Sequence, residues 1–189
     1  AIFVNQDAPE LTDHEKITEH ILNRIDIEEI LISRGVVDAL DHSSPKFAVG
    51  GKLGLDCTGE EISELGITQI SDDELLSKIQ NITTEVTALK QYFTHTKNPI
   101  TVIKVKKNRS QKYIFEDLKP LLNHIKILVI VDDSKNDLDN TYMLVWRVVN
   151  NIDSNRDIYI EGHTVGIDAT NKNSHDNFKR RWPDDVVCT

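Results

Sequence analysis

The apolar positions fall into short runs and spaced stripes separated by turn residues. Ile2-Phe3-Val4 reads as a short buried strand, left through a turn at Asp7-Ala8-Pro9. Thr12 and Glu15 make a T-x-x-E capping box, and Ile17, Ile21, Leu22 and Ile25 share one face of the helix it opens. A second strand is predicted through Ile30-Leu31-Ile32. From Gly35 to Thr58 the periodicity is weak and turn residues are dense, which predicts loop. Ser71 with Glu74 makes another capping box, and Leu75, Ile79, Ile82, Val86, Leu89 and Phe93 keep an alternating three-four spacing. That stripe predicts one long amphipathic helix ending before Asn98-Pro99, laid on its own sheet in preference to a coiled-coil seam between subunits. A strand from Ile100 to Val105, a short helix carrying Phe115, Leu118 and Leu122, and a buried strand from Ile125 to Val131 follow.

The end of the chain repeats its beginning. A shift of 127 positions puts Val4 on Val131, Leu11 on Leu138, Ile17 on Leu144, Ile21 on Val148, Asn23 on Asn150, and Ile25-Asp26 on Ile152-Asp153. After a length change, Gly54-Leu55-Asp56-Cys57-Thr58 falls on Gly166-Ile167-Asp168-Ala169-Thr170, while the Asp38 to Pro45 loop has no second copy. The expected fold is therefore α/β, a mostly parallel sheet flanked by helices and built from two diverged strand-helix-strand copies, with residues 1–70 and 71–189 as the two parts. The Gly-x-Asp-x-Thr ending reads as a turn in which Asp and Thr side chains bond nearby amides.

Composition narrows the partners. A formal net charge of -9 repels phosphate backbones and anionic lipid, so nucleic-acid binding is not expected. The basic cluster Lys104, Lys106, Lys107, Arg109 and Lys112 reads as a solvated turn. Cys57 and Cys188 lie far apart without ligand spacing, which fits reduced thiols and a cytoplasmic setting. No apolar run reaches membrane-spanning length, and the opening residues do not read as a charged-then-apolar leader. A start at Ala1 instead of Met reads as a processed end or an excised piece of a longer polypeptide.

Candidate chemistry is sparse. Gly50-Gly51-Lys52-Leu53-Gly54 lacks the Gly-Lys-Ser/Thr of a phosphate loop. Asp132-Asp133 ends a strand where α/β sheets bind ligands and would offer Mg²⁺ a site with Asp137 or Asp139. The first copy has Asn5 at that place, which favours a turn that caps the next helix. His42 beside Asp41, Ser43 and Ser44 is acid-base material, yet neighbours in sequence seldom converge on one substrate. No catalytic, cofactor-binding or metal residue is assigned.

Three runs carry a family resemblance: Phe3 to Ile32 with its Asn-Arg-Ile-Asp, Leu40-Asp41-His42-Ser43-Ser44-Pro45, and Gly50-Gly51-Lys52-Leu53-Gly54-Leu55-Asp56-Cys57-Thr58. In this order they resemble the carboxyl-terminal region of the UbiD family, the prenylated-flavin-dependent decarboxylases that include 3-polyprenyl-4-hydroxybenzoate carboxy-lyase. The family's last motif usually reads Gly-Ser-Lys-x-Gly-x-Asp-Ala-Thr, from which Gly51 and Cys57 depart. The resemblance implies an assembly domain of a carboxy-lyase of ubiquinone or menaquinone biosynthesis, with residues 1–70 the end of the family's oligomerisation domain and 71–189 an appended degenerate repeat. It implies homo-oligomers and an amino-terminal domain as partner. Prenylated FMN, a divalent Mn or Mg ion and potassium would sit in that domain, none in this chain. Leu40, Asp41, His42 and Ser43 would approach its pocket as a wall. The alternatives are a free-standing interaction module using the Leu75 to Phe93 helix, and a nucleotide or phosphotransfer enzyme built around Asp132-Asp133.

Overall fold

The computed structural model describes residues 1–62 and 66–184. The first sheet holds β1 (Ile2–Val4), β2 (Leu31–Val36) and β3 (Val49–Cys57) in the order β1-β3-β2, with α1 (His14–Leu22) joining β1 towards β2. After α2 (Asp72–Gln80) come β4 (Val86–Tyr92), β5 (Ile100–Val105), α3 (Gln111–Asp117), β6 (Ile127–Asp132), α4 (Thr141–Asn151), α5 (Ser154–Asp157), β7 (Ile158–Glu161) and β8 (Thr164–Asp168). Their five strands are ordered β4-β5-β6-β8-β7.

The expected mostly parallel sheet is corrected to two mixed ones. β1 with β3, β5 with β6 and β6 with β8 are parallel, while β2 with β3, β4 with β5 and β7 with β8 are antiparallel. Each antiparallel pair joins strands consecutive in sequence without a crossover helix, as hairpin neighbours must. The fold class is mixed α/β.

The long helix expected over Leu75 to Phe93 does not exist. Ser71 does cap α2, accepting from Glu74 N, but the helix ends at Gln80 and the chain re-enters as β4. Leu75 and Ile79 are buried from the helix, and Val86 and Leu89 are buried from the strand. Val86 and Leu89 share a face despite their odd spacing because the register shifts between Val86 and Ala88. A bulge thus imitated a helical interval, and Ile82 and Phe93, which completed the stripe, sit in turns, Phe93 with φ of 52°.

Two smaller corrections follow. The capping oxygen of α1 belongs to Asp13, accepting from Lys16 N, not to Thr12. Residues 49–57, expected as loop, form the central strand β3; its glycines conceal the alternation a strand normally displays.

The middle strands of the larger sheet are covered on both faces. Ile103, Val105, Leu128 and Ile130 pack with Leu75, Ile79, Ile114, Phe115 and Leu118 of the helical side. Val102, Ile127, Val129, Val131 and Val165 pack instead with Leu22, Ile25, Ile27 and Cys57 of the first unit and Leu144 of α4. Alternate side chains of one strand feed the two cores, which is why β6 reads as continuous apolar sequence. Each of these large aliphatic side chains contributes about 1.5–3 kcal/mol by leaving water. Asn98 fastens the units further, donating from Nδ2 to the Leu22 and Ile25 carbonyls at 2.9 Å each.

Candidate functional site

The connection from β2 to β3 carries the Leu40 to Ser44 segment, and short polar side chains shape it from within. Asp38 Oδ1 accepts from Leu40 N at 2.7 Å, and the Asp38 carbonyl accepts from Asp41 N at 3.1 Å. Asp41 Oδ1 accepts from Ser43 N at 2.8 Å and lies 2.6 Å from Ser43 Oγ. Leu40 is left at the apex, 89% exposed, while Ser43 and Ser44 are buried. The four residues expected as a wall therefore divide: Leu40 points outward, and Asp41 and Ser43 build the turn beneath it. His42, half-buried, meets Trp182 edge-on at 5.0 Å between ring centroids.

The support comes from the other end of the chain. Ser43 Oγ also reaches the Ile152 carbonyl at 2.9 Å. Arg156 donates from Nη1 to the Ser43 carbonyl at 2.7 Å, and its Nε and Nη2 grip Asp157 in a bidentate pair at 2.7 and 2.6 Å. Arg180 Nη1 donates to the Asp41 carbonyl at 3.1 Å, the Ser44 carbonyl at 3.0 Å and Ser44 Oγ at 3.1 Å. Phe178 lies under the Arg156 guanidinium, 5.1 Å from centroid to Cζ, and meets Trp182 at 5.3 Å. The sequence reading missed Arg156, Phe178, Arg180 and Trp182, since no spacing ties them to a loop more than a hundred residues away.

Beneath this lies a buried charge cluster. Lys172 Nζ stands 3.2 Å from Asp168 Oδ1 and 3.6 Å from Asp157 Oδ1, and donates to the Asp168 and Thr170 carbonyls. Burial pushes the Asp157 carboxyl up, against the pull of Lys172 and Arg156. For Asp168 burial acts in the same sense, but Lys172, Lys107 and the Thr170 hydrogen bonds outweigh it and hold the carboxyl low. Lys107 is no solvated turn residue: its buried Nζ reaches Thr170, Asn171 and Asp176. Arg109 pairs with Glu85 and Asp117, so the basic cluster is partly spent on internal ion pairs.

A cleft of about 540 Å³ opens at the carboxyl ends of β5 and β6, lined by Lys106, Asp132, Asp133, Ser134 and Asn171 among others. Its acids do not converge. Asp132 accepts from Asn171 N at 2.7 Å, Asp133 bonds Thr87, Asp137 accepts from Asp139 N, and Asp139 pairs with Lys90. The capping role expected of the pair falls to Asn140, which accepts from Met143 N. Among the described residues no three His, Cys, Asp or Glu side chains group as metal ligands. Gly50 and Gly51 serve packing: a Cβ on Gly50 would lie 2.6 Å from Asp153 Oδ2, and one on Gly51 would lie 2.4 Å from Ser154 Oγ. Cys57 is buried and unbonded, its thiol pushed up by burial, and Cys188 lies outside the described residues.

One surface stands apart. Tyr142, Val145, Trp146 and Val149 follow the three-four spacing of a single face of α4, and all are exposed, Tyr142 at 79%. Contiguous exposed apolar groups of this kind mark contact surfaces.

Fold and site together define a mixed α/β domain with a braced loop lifting an apolar tip outward and an uncovered apolar helix face. The chain belongs to the UbiD carboxyl-terminal family: the model of the 3-octaprenyl-4-hydroxybenzoate carboxy-lyase C-terminal domain matches residues 1–57 and 70–181. Two uncharacterized proteins of Helicobacter pylori, from strains J99 and 26695, are 46% identical over the whole chain, which spans 31% of their length. Among solved structures, an evolved dimeric form of the UbiD-class enzyme HmfF from Pelotomaculum thermopropionicum, in complex with prFMN, is similar over 82% of this chain and 42% of its own, at 18% identity and a TM-score of 0.48. Vanillic acid decarboxylase of Sedimentibacter hydroxybenzoicus in open form is similar over 83% and 40%, at 15% identity and a TM-score of 0.46.

Proposed function

We propose that this chain is the carboxyl-terminal assembly domain of a UbiD-like aromatic-acid decarboxylase acting in ubiquinone or menaquinone biosynthesis. The observation that carries the assembly role is the exposed Tyr142-Val145-Trp146-Val149 face of α4, a stripe the chain itself does not bury. A second copy of the chain is its occupant, making the whole protein a homo-oligomer. The Leu40, Asp41, His42 and Ser43 loop then forms a wall of the substrate pocket contributed to an amino-terminal catalytic domain, which explains an apolar side chain held rigidly in water.

Prenylated FMN, the cofactor of the compared HmfF complex, would supply the decarboxylation chemistry in the whole protein. Among the described residues no three His, Cys, Asp or Glu side chains group to hold its divalent metal. With its potassium the cofactor belongs to the catalytic domain. Among the described residues no helix is long and apolar enough to cross a membrane.

We also propose that residues 1–70 and 71–189 are diverged copies. This reading is supported by the shared strand order, β1-β3-β2 against β6-β8-β7, with matching parallel and antiparallel pairs. It is supported too by identical closing turns, in which Asp56 Oδ1 and Asp168 Oδ1 each accept from the amide and hydroxyl of the Thr two residues on. The interaction-module alternative loses its device, because residues 75–93 are not one helix.

Sedimentation of the chain should give a dimer or larger species that V145E/V149E converts to monomer with an unchanged circular dichroism spectrum. A wild-type monomer at tens of micromolar would remove the assembly role. For the whole protein, carbon dioxide release from 3-octaprenyl-4-hydroxybenzoate with prenylated FMN supports the enzymatic reading, and its absence counts against it.

A further inference from the structure

We infer that the second unit acts as the positioning element for the Leu40 to Ser44 loop, with Arg156 and Arg180 as its bracing residues. The inference deepens the proposed function and rests on the reading of that loop as a pocket wall.

The loop and its brace are divided between the units. The first unit joins β2 to β3 through residues 37–48, whereas the second joins β7 to β8 through Gly162 and His163 alone. The brace shows the opposite loss. At the shift of 127 positions, Arg156 and Asp157 correspond to Glu29 and Ile30. Glu29 is an exposed acceptor and Ile30 is apolar, so the first unit has neither the guanidinium that donates to the loop nor the carboxylate that orients it. One unit has kept the loop and the other its support.

The geometry shows what the brace accomplishes. Arg180 bonds the Asp41 and Ser44 carbonyls together, closing the base of the turn, and Arg156 fixes the Ser43 carbonyl between them. Three carbonyls of the loop backbone, those of Asp41, Ser43 and Ser44, are thus held by charge-assisted bonds from two guanidiniums. Arg156 is itself fixed by bidentate Asp157, 1% exposed, and by the Phe178 ring. At the base of the loop, Asp153 Oδ2 accepts from Gly51 N at 3.0 Å and Asn155 donates to the Ser33 carbonyl, so the start of α5 grips the two strands that emit the loop. Neither arginine has a bond to Leu40. They act on its pedestal, which makes them positioning residues.

The test is hydrogen exchange on the chain, comparing wild type with Arg180→Ala, Arg180→Lys and Ser44→Ala. Removing the guanidinium should speed exchange of residues 39–47 at least about a hundredfold, the loss of two charge-assisted bonds, with β5, β6 and β8 unchanged. Arg180→Lys should recover much of the protection, since an ammonium still donates to both carbonyls, and Ser44→Ala should give a smaller rise in the same residues. Unchanged exchange of residues 39–47 in Arg180→Ala, or a rise spread evenly over β5, β6 and β8 in both Ala variants, overturns the inference. In the whole protein, kcat/KM with 3-octaprenyl-4-hydroxybenzoate should fall in the order of loop exchange across the Arg180 variants, whereas Leu40→Ala should lower it without changing exchange. A loosened loop with unchanged kcat/KM leaves the brace standing and removes the pocket-wall reading instead.

Discussion

Gly51 lies where β3 passes the start of α5, and a Cβ there would stand 2.4 Å from Ser154 Oγ and 2.5 Å from Asn155 N. The second of these is backbone, so no rotamer change relieves it. Gly51→Ser, which would restore the residue usual in the family motif, should therefore cost about 1–3 kcal/mol, read as a lower urea midpoint at unchanged slope. Ser154→Ala in the same chain should recover only part. The departure from the family pattern at this position is thus explained by what packs against it. Lys172 is the second residue to test, because its Nζ stands close to both buried carboxylates, Asp157 and Asp168. Lys172→Met should cost about 3–5 kcal/mol at neutral pH by leaving buried charge unpaired. The pH dependence has a definite sign. Asp168 is held low in the folded protein, so its stabilising contribution is present above the unfolded value and is lost as pH falls through the folded one. Without Lys172, burial acts with less opposition and the variant is penalised as pH rises above the unfolded carboxylate range. The gap between wild type and variant should widen from acid to neutral pH, and a constant gap would mean that Lys172 acts by packing.

At the scale of elements, α3 crosses the larger sheet at Gly166 of β8. The Phe115 ring occupies the space a side chain would take, with Cδ2 2.4 Å from an ideal Cβ. Gly166→Ala should cost about 1–3 kcal/mol and Phe115→Leu about 1 kcal/mol, and the double variant should lose less than the two together, with a coupling near 1 kcal/mol. Additive losses in thermal or urea unfolding would show that helix and strand do not meet through this pair. The boundary between α2 and β4 illustrates how an element is lost to a sequence reading. Gln80 Nε2 donates to the Val86 carbonyl, and Gln91 bonds Asp72 and the Ile70 carbonyl, so helix and strand are sewn side by side. Those contacts exist only once the chain has folded back, and nothing in the spacing of residues 75–93 announces the reversal.

The whole molecule is organised by a shared core. Leu22, Ile25, Ile27 and Cys57 of the first unit cover Val102, Val129, Val131 and Val165 of the larger sheet. Residues 1–62 alone would expose that apolar layer, and a piece of that size without disulfides or metal carries too small a core to hold it. Expressed by themselves they should show no cooperative thermal transition and should bind a hydrophobic dye. A sharp melt with dispersed amide resonances would mean that the first sheet stands without its neighbour. The site was legible in part. Leu40 to Ser44 stood out as a dense polar motif, but its two arginines were hidden, because Arg156 and Arg180 reach it from more than a hundred residues away.

The order of local elements was determined by the sequence itself wherever pattern and chemistry agreed. Continuous β-branched runs made β5 and β6, Ser71 began α2, and the Asp-x-Thr endings made the same turn twice, because these depend on bonds and burial within a few residues. Strand direction, the division of residues 75–93 and the strand character of the glycine-rich β3 were decided by tertiary structure. In each case the deciding partner lies outside the segment itself: β5 for the bulged β4, β1 and β2 for β3, and the start of α5 for Gly51. A one-dimensional pattern records how apolar residues are spaced, whereas the third dimension decides which neighbour satisfies their backbone and which face they bury.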